Sequence, residues 1–506
     1  MMKREGMILV FIILFATFIL SSEVAIAQST CSVSDGIELV ASHGAASDFF
    51  GYSVAISGDV AIVGARLDGD KGVQSGSAYI FRRGGSNWIQ EQKLFGSDQG
   101  AYDAFGTSVA IEGNTAVVRA PNHYINGQAG AVYIFNWNGT SWNEQQILEA
   151  RYSVGSNGKI SSIDISGSVI IIGAHQYSPS PALYKAGSTY VYRFNGTSWV
   201  LEQNLVAEDA AGGDNFGYSV SIDSDNILIG AYADDDLGNA AGSAYVFHFD
   251  GYNWVQEQKL LAIEGMANDL FGYSVAIFEN KAIVGAYQDN SGGLGFGSAY
   301  VYRYHPERIE GERWVQESEL WPSDGFINDY FGSSVAISNN LVAIGAYKDN
   351  DQGSQSGSVY VFRENGLEWN QEAKLLAPNG ATNEYFGFSV GVSDDQVIGG
   401  AYWDDNINGP DAGSASIFKI NCEACTNDAD CSDNNFCNGN EICNTTLGCQ
   451  DSADPCSAGL TCNEQTDSCT QCINQDTLNG YISQYYTGAR DIGQLSNDIM
   501  DYLDGC

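Results

Sequence analysis

The sequence predicts an all-β fold built from repeated four-stranded units, and three observations support this prediction. Glycine accounts for 59 of 506 residues and proline for only 8, which favours strands joined by tight turns. Hydrophobic residues (44%) and aromatic residues (12%) are too frequent for a disordered acidic chain. A phrase beginning Phe-Gly recurs along the chain: its first and last copies, at Phe50 and Phe386, lie 336 residues apart over six intervals, an average of 56.

Each repeat contains four strand-like runs, here labelled A to D. In the first repeat these are Phe50–Ile56, Val60–Ala65, Gly76–Phe81 and Trp88–Leu94. The remaining A runs begin at Phe105, Phe216, Phe271, Phe331 and Phe386, and a degenerate copy begins at Lys159. Four short strands at this period are typical of a β-propeller blade, so seven repeats predict seven blades.

The two ends of the repeat array favour a closed ring over an open solenoid. The seventh repeat has a run C (Gly413–Ile420) but no run D, whereas an unpaired run at Ile37–Ala41 precedes the first repeat. An N-terminal strand that completes the last blade would remove the exposed sheet edges. A solenoid would instead need polar caps at both ends.

The recurring Phe-Gly and Gly-Ala pairs resemble the FG-GAP repeat family over residues 37–420. That family is known from the seven-bladed propeller of integrin α subunits and from many bacterial exported proteins. The run C sequence Gly-Ser-Ala-Tyr-Val-Phe is more similar to the bacterial branch. The resemblance implies a propeller used for adhesion or binding, and its Phe-Gly and Gly-Ala residues are expected to be structural.

Composition shifts predict four segments: a signal peptide at 1–27, the propeller at 28–421, a cysteine-rich domain at 422–472 and a short helical tail at 473–506. Lys3 and Arg4 precede an apolar run at 7–20, and Ala25-Ile26-Ala27 fits a cleavage site. An uncleaved anchor is the alternative. The sequence therefore predicts a secreted or cell-surface protein with no membrane span in the mature chain.

Twelve cysteines in an exported chain indicate disulfides, and ten of them lie in the segment 422–472. Cys31 precedes the closing strand and Cys422 follows its partner, so we expect these two to pair; a bond between chains through Cys31 or Cys506 is the rival. Zinc is the alternative to disulfides for the remaining module, whose members are Cys425, Cys431, Cys437, Cys443, Cys449, Cys456, Cys462, Cys469 and Cys472.

The charge balance excludes nucleic-acid binding and suggests a cation instead. The net charge is −40, from 62 acidic and 22 basic residues, whereas nucleic-acid binding needs a basic face. Carboxylates cluster in five B–C loops, on the face that also carries the D–A loops. Hard oxygen ligands suit Ca²⁺, but the same residues also cap turns. The possible ligands are Asp68, Asp70, Asp234, Asp235, Asp236, Asp289, Asp349, Asp351, Asp404 and Asp405. The Asp-x-Asp-x-Asp-Gly loop of calcium-binding integrin-type repeats has no counterpart between runs A and B.

Three further patterns bear on binding. An acid stands two residues before most Phe-Gly pairs, as in Asp48 and Glu384, and we interpret it as a turn residue. The tryptophan that begins run D is interpreted as packing between blades, with a carbohydrate platform as the alternative. Tyr402 and Trp403 lie outside that register and are the better sugar-stacking residues.

No catalytic constellation is evident in the sequence. Gly387–Gly391 matches the hydrolase elbow pattern, but Ser389 is the ordinary serine of run A and no helix is expected after it. We therefore predict a non-enzymatic binding or adhesion protein that recognises a protein or surface ligand, with Ca²⁺ as its only expected cofactor. A carbohydrate-binding propeller is the alternative, and a propeller lyase or hydrolase is the third reading.

Overall fold

The computed structural model describes residues 32–125, 128–149, 160–178, 180, 183–290, 295–366 and 368–421, together with four short strands between 441 and 470. The chain divides into two compact units: Val33–Ile420, and Met1–Ser32 with Asn421–Cys506. The predicted signal peptide, the predicted helical tail and both members of the expected Cys31–Cys422 pair lie outside the described residues.

The larger unit is a seven-bladed β-propeller, as the sequence predicted. Six blades are four-stranded antiparallel sheets in sequential strand order, and each begins with the strand nearest the axis, run A. Blade 1 comprises β3 (Phe50–Ser57), β4 (Val60–Ala65), β5 (Ser77–Gly84) and β6 (Asn87–Leu94). Blade 2 comprises β7 (Ser108–Glu112), β8 (Thr115–Ile125), β9 (Gln128–Trp137) and β10 (Trp142–Glu149). Blade 3 comprises β11 (Ile163–Ser166), β12 (Val169–Gly173), β13 (Thr189–Phe194) and β14 (Trp199–Leu205).

The next three blades repeat this arrangement. Blade 4 comprises β15 (Ser219–Asp223), β16 (Asn226–Ala231), β17 (Ser243–Phe249) and β18 (Trp254–Leu260). Blade 5 comprises β19 (Ser274–Phe278), β20 (Lys281–Ala286), β21 (Ser298–Tyr304) and β22 (Trp314–Leu320). Blade 6 comprises β23 (Phe331–Ser338), β24 (Leu341–Ala346), β25 (Ser358–Asn365) and β26 (Glu368–Leu375).

The N-terminal strand closes the ring, which confirms the prediction from the repeat ends. Blade 7 contains β27 (Ser389–Ser393), β28 (Gln396–Ala401) and β29 (Ser414–Asn421). The short β1 (Ser32–Val33) and β2 (Ile37–Leu39) both pair with β29, and β2 runs antiparallel to it with Glu38 opposite Ser416. Strand β27 then packs against β3 of blade 1, so the last blade has the same neighbours as the others.

The Gly-Ala and Phe-Gly pairs meet where neighbouring blades touch. A Cβ atom on Gly64 would lie 2.0 Å from the carbonyl oxygen of Gly106 in the next blade, and Ser53 donates a hydrogen bond from its Oγ to that same oxygen at 2.8 Å. The same glycine contact and serine bond recur between blades 7 and 1, at Gly400, Gly51 and Ser389. Because the backbones approach this closely, only glycine fits.

The degenerate third repeat is accommodated by an arginine in the second. Arg119 replaces the glycine of the Gly-Ala pair at the junction where the next repeat lacks Phe-Gly. Its buried guanidinium donates hydrogen bonds to the carbonyl oxygens of Ile160 and Ser161. A long side chain thus fills the space that the missing Phe-Gly pair would occupy and satisfies two carbonyl groups.

The core lies between the blades rather than in one central cluster. Apolar residues of adjacent sheets pack face to face, for example Leu228 of blade 4 with Tyr300 of blade 5. The run D tryptophans are buried in these layers, and those of blades 2, 4 and 5 donate Nε1 hydrogen bonds to a glutamate of the preceding blade. This burial supports packing over an exposed carbohydrate platform.

The smaller unit is described only as two hairpins. Strand β30 (Glu441–Asn444) pairs with β31 (Gly448–Asp451), and β32 (Thr461–Asn463) pairs with β33 (Ser468–Thr470). The predicted disulfides of this module stay a prediction. Within the described part of the chain, no helix has both the length and the apolar composition that crossing a membrane requires.

Candidate functional site

The acids that precede Phe-Gly cap the D–A loops. The Oδ2 atom of Asp48 accepts a hydrogen bond from the backbone N–H of Ala45 at 2.7 Å, and Glu384 accepts one from Ala381 at 2.6 Å. Burial raises the pKa of Asp48, Asp214, Asp269 and Asp329 to about 6 and that of Glu384 to about 7, against the hydrogen bond that each accepts. These carboxyls therefore act as turn residues, as the sequence suggested.

The first aspartate of the B–C loop is buried in all five acidic loops, and in three blades it meets a lysine from strand D. The residue pairs are Asp68 with Lys93 in blade 1, Asp234 with Lys259 in blade 4, and Asp349 with Lys374 in blade 6. Each lysine directly precedes the last leucine of its strand. An internal ammonium group thus neutralises the buried carboxylate.

Blade 4 shows the geometry of this ion cluster most fully. The Lys259 Nζ atom lies 2.7 Å from Asp209, 2.8 Å from Asp234 and 2.6 Å from Asp236. Ser243 and Tyr245 donate further hydrogen bonds to Asp234. Burial opposes ionisation of Asp234, but its bond with the Lys259 ammonium is among the contacts that hold its pKa below the usual value. The ligand atoms of the three carboxylates lie within 4.8 Å of one another, a spacing suited to a metal ion, and the ammonium takes that place.

Blades 5 and 7 carry a glutamate where those lysines stand. Strand pairing places Glu319 opposite Tyr300, as Lys93 stands opposite Tyr79, and Glu38 takes the equivalent place opposite Ser416. In blade 7, burial and the neighbouring Asp405 raise the pKa of Asp404. Burial and the neighbouring Asp404 likewise raise the pKa of Glu38. These two blades therefore concentrate negative charge that a lysine balances in blades 1, 4 and 6.

The other predicted calcium ligands divide between paired and exposed positions. Asp70 and Asp351 pair with the lysines of their own blades. Asp235 and Asp405 are exposed, and Asp405 accepts a hydrogen bond from the backbone of Asp411. A calcium ion in blade 1, 4 or 6 would have to displace the ammonium group. Calcium binding at the ten aspartates stays a prediction.

Blades 2 and 3 carry no carboxylate at this loop position, as the sequence indicated. His123 occupies the place in blade 2, where its Nδ1 lies 2.7 Å from Asp103 and its Nε2 lies 3.4 Å from Asp98. Tyr177 occupies it in blade 3. The acidic face is consequently asymmetric around the ring.

A continuous band of aromatic side chains surrounds part of the channel mouth on the face that carries the B–C and D–A loops, here called the loop face. Ring centroids of successive neighbours lie 4.4–6.2 Å apart, so the rings form an unbroken series from blade 4 through blade 7 to blade 1. All are half-buried except the exposed Trp403. The members of this aromatic band are Tyr218, Tyr232, Tyr273, Tyr287, Tyr330, Tyr347, Tyr385, Phe388, Tyr402, Trp403, Phe49 and Tyr52.

The predicted stacking residues Tyr402 and Trp403 belong to this band, and the sequence analysis missed its other members. They occupy three positions of the repeat: directly before Phe-Gly, directly after Phe-Gly and directly after Gly-Ala. That register was the available signal. Burial raises the pKa of Tyr402 and Tyr287 to about 12, so these hydroxyls stay protonated and can donate hydrogen bonds to a ligand.

Two cavities lie along the channel. One of about 270 Å³ is lined by Tyr218, Tyr273, Tyr347 and Phe388 of the band together with run A serines. The other, of about 340 Å³, is lined by the far ends of the A strands, including Ile56 and Ile222. The first cavity thus opens among the aromatic rings and offers both apolar faces and hydroxyl groups.

Ser389, the residue of the hydrolase-like pattern, has a structural contact. Its Oγ donates a hydrogen bond to the carbonyl oxygen of Gly51 in blade 1, the bond that Ser53, Ser219 and Ser274 make at their own junctions. The residue lies in strand β27, which leads into β28 and not into the helix that a nucleophile elbow requires.

Comparison with known protein families agrees with this architecture. The model of the FG-GAP repeat matches residues 34–81, 88–135, 199–247, 254–302, 314–362 and 369–418. Each matched segment starts at or near a D-position strand and ends in a C strand of the next blade, and the degenerate third repeat lies between two of them. Among curated proteins, none matches the chain. The matched segments span more than half of the 506 residues, and the chain therefore belongs to the FG-GAP repeat family.

Proposed function

We propose that this protein is a non-catalytic extracellular binding protein that recognises a protein or surface partner through the loop face of its propeller. The observation that carries this proposal is the aromatic band, which leaves twelve rings half-buried or exposed around the channel mouth. Aromatic side chains with one wet edge are enriched at protein interfaces. A membership in the FG-GAP family is compatible with such a binding role.

The charge pattern of the loop face supports recognition over non-specific adhesion. Lysines balance the buried aspartates in three blades, whereas Glu319 and Glu38 leave blades 5 and 7 acidic. A partner would therefore meet apolar rings flanked by carboxylates at defined positions. Calcium assistance is part of the proposal only for blades 5 and 7, because Glu319 and Glu38 stand there in the register that holds a lysine in blades 1, 4 and 6.

The proposal is tested by measuring attachment to cell surfaces and to purified surface proteins of the producing organism. The variant carries Tyr232→Ser and Tyr287→Ser, two half-buried members of the band on neighbouring blades. The control is Tyr252→Ser, which removes an equally large but 87% exposed ring from a C–D hairpin on the opposite face. We expect attachment to fall at least tenfold in the first variant and to persist in the control. Equal attachment of all three proteins would contradict the proposal.

Carbohydrate binding is the second proposal, and the exposed Trp403 favours it. This ring is 37% exposed and lies 5.2 Å from Tyr385 and 6.0 Å from Tyr402 between centroids. Such a cluster offers an apolar platform to the C–H face of a sugar ring. A glycan array separates the two proposals: saturable binding that is lost in Trp403→Ala supports a lectin, and the absence of any bound glycan argues against it.

A further inference from the structure

Arg66 departs from the repeat pattern at the edge of the aromatic band. It directly follows the Gly-Ala pair of blade 1, where blades 4 to 7 carry Tyr232, Tyr287, Tyr347 and Tyr402. Its guanidinium carbon lies 4.2 Å from the centroid of the Tyr52 ring and 5.8 Å from that of Phe49. The guanidinium therefore lies over an aromatic ring, a contact that leaves its N–H groups able to bind a carboxylate.

The guanidinium of Arg66 has no acceptor among the described residues. Its Nε is buried without a hydrogen-bond partner. The other half-buried arginines that face solvent each pair with a glutamate: Arg82 with Glu91, Arg193 with Glu202, Arg303 with Glu317, Arg313 with Glu257 and Arg363 with Glu372. In a chain with 62 acidic and 22 basic residues, an arginine left unpaired at a half-buried position points to an acceptor supplied by a ligand.

The surroundings of Arg66 define the rest of that ligand. Phe49, which lies beside the guanidinium, also lies 5.4 Å from Tyr402 and 6.2 Å from Trp403 between ring centroids. The site thus combines a fork of N–H donors, which matches a carboxylate in two parallel hydrogen bonds, with flat apolar rings at contact distance. A sugar ring that carries a carboxylate presents both complementary features, an apolar C–H face and a planar acceptor.

We propose that Arg66, Phe49, Tyr402 and Trp403 form a subsite for a uronic acid residue of a glycan. The inference rests on the carbohydrate-binding proposal and adds the class of sugar. The exposed Asp405 and the half-buried Asp411 border the same loops, and the chain carries a net charge of −40. Their repulsion disfavours dense polyanions, so the ligand is a glycan with isolated uronate residues among neutral sugars.

The test compares uronate-containing glycans with their methyl esters, in which a neutral ester group replaces the carboxylate. Wild-type protein is expected to bind at least one uronate glycan ten times more tightly than its ester. The variant Arg66→Tyr, which installs the residue of blades 4 to 7 and so preserves the fold, is expected to lose at least tenfold for the acid and little for the ester. The control Arg308→Gln removes an exposed arginine from a C–D hairpin and should change neither affinity.

Several outcomes would overturn the inference. Equal affinity for acid and ester, equal affinity of wild type and Arg66→Tyr, or no bound uronate glycan each exclude the subsite. If neutral glycans bind while uronates do not, carbohydrate binding stands and only the Arg66 inference fails. If an acidic peptide binds through Arg66 in place of the sugar, the residue's role as an anion site stands and the assignment to uronate is wrong.

Discussion

Removing Lys259 tests whether the internal ammonium groups hold the acidic loops together. The change Lys259→Met keeps the length of the side chain and deletes the charge that contacts Asp209, Asp234 and Asp236. Of the three carboxylates, only Asp234 is strongly buried, with a side-chain exposure of 5%. Breaking a buried ion pair costs about 3–5 kcal/mol because it leaves an uncompensated charge.

The expected loss for this variant lies at the lower end of that range. Asp234 keeps its hydrogen bonds from Ser243 and Tyr245, and the two exposed carboxylates each contribute about 1 kcal/mol or less. We therefore expect the free energy of unfolding to fall by about 3 kcal/mol, measured by urea titration at pH 7.5. Lys71→Met is the matched control, because Lys71 is exposed and its ammonium lies over the Phe95 ring.

Calcium provides the second readout. The variant leaves three carboxylates whose ligand atoms lie within 4.8 Å with no ammonium between them. Calcium at ten times its dissociation constant would then restore about 1.4 kcal/mol, whereas the same addition to wild type would leave blade 4 unchanged. A loss below about 1 kcal/mol, or a calcium response equal in variant and wild type, would refute the reasoning that Lys259 occupies the cation position.

Three further predictions concern the rest of the propeller. In the folded protein, burial raises the pKa of the carboxyls before Phe-Gly to about 6 to 7. The folded state therefore binds more protons than the unfolded state between about pH 4 and 7, and we expect the melting temperature to rise as the pH falls from 7.5 to 5. An unchanged or falling melting temperature would contradict this. Arg119→Gly removes two hydrogen bonds to backbone carbonyls and should lower the free energy of unfolding by about 2 kcal/mol or more, with Arg308→Gln as the control in the same urea titration. Glu319→Lys places a lysine in the register of Lys93 and should raise the melting temperature and abolish any calcium response of blade 5; a lower melting temperature would show that Asp289 does not accept the ammonium.

The fold was predictable because each of its structural constraints requires particular residues at fixed positions of the repeat. The glycines equivalent to Gly64 and Gly106 recur because a Cβ atom on Gly64 would lie only 2.0 Å from the carbonyl oxygen of Gly106. The same close approach excludes any side chain at each Phe-Gly junction. The closing strand was predictable from the missing run D, because without it the outer edge of β29 would be unpaired, and β2 pairs with that edge. The exchange at Arg119 was not predicted, because it is a compensation between two repeats that neither repeat shows alone.

The site was predicted less completely, because its chemistry depends on contacts between strands that are distant in sequence. The aspartates of the B–C loops were found, but their partner Lys259 stands 25 residues after Asp234 and looked like an ordinary polar residue of run D. The tyrosines that follow Phe-Gly and Gly-Ala were treated as part of the repeat, whereas the ring brings them together from neighbouring blades. Arg66 was passed over because only the three-dimensional structure shows that its Nε has no hydrogen-bond acceptor among the described residues.

The charge of the loop face varies around the ring with one position of strand D, the residue that lies opposite the C-strand position of Tyr79. It is lysine in blades 1, 4 and 6, glutamate in blades 5 and 7, and neither in blades 2 and 3, where Ile147 and Asn204 pair with the C-strand tyrosine. Because the lysines neutralise aspartates within their own blades, they leave little positive charge for a ligand. In blades 5 and 7 this position adds a carboxylate to the loop face, while the aromatic band runs from blade 4 to blade 1, where Arg66 lies beside it. A ligand that covers this arc meets carboxylates at two blades and a guanidinium at its end, and that polarity would fix its orientation on the propeller.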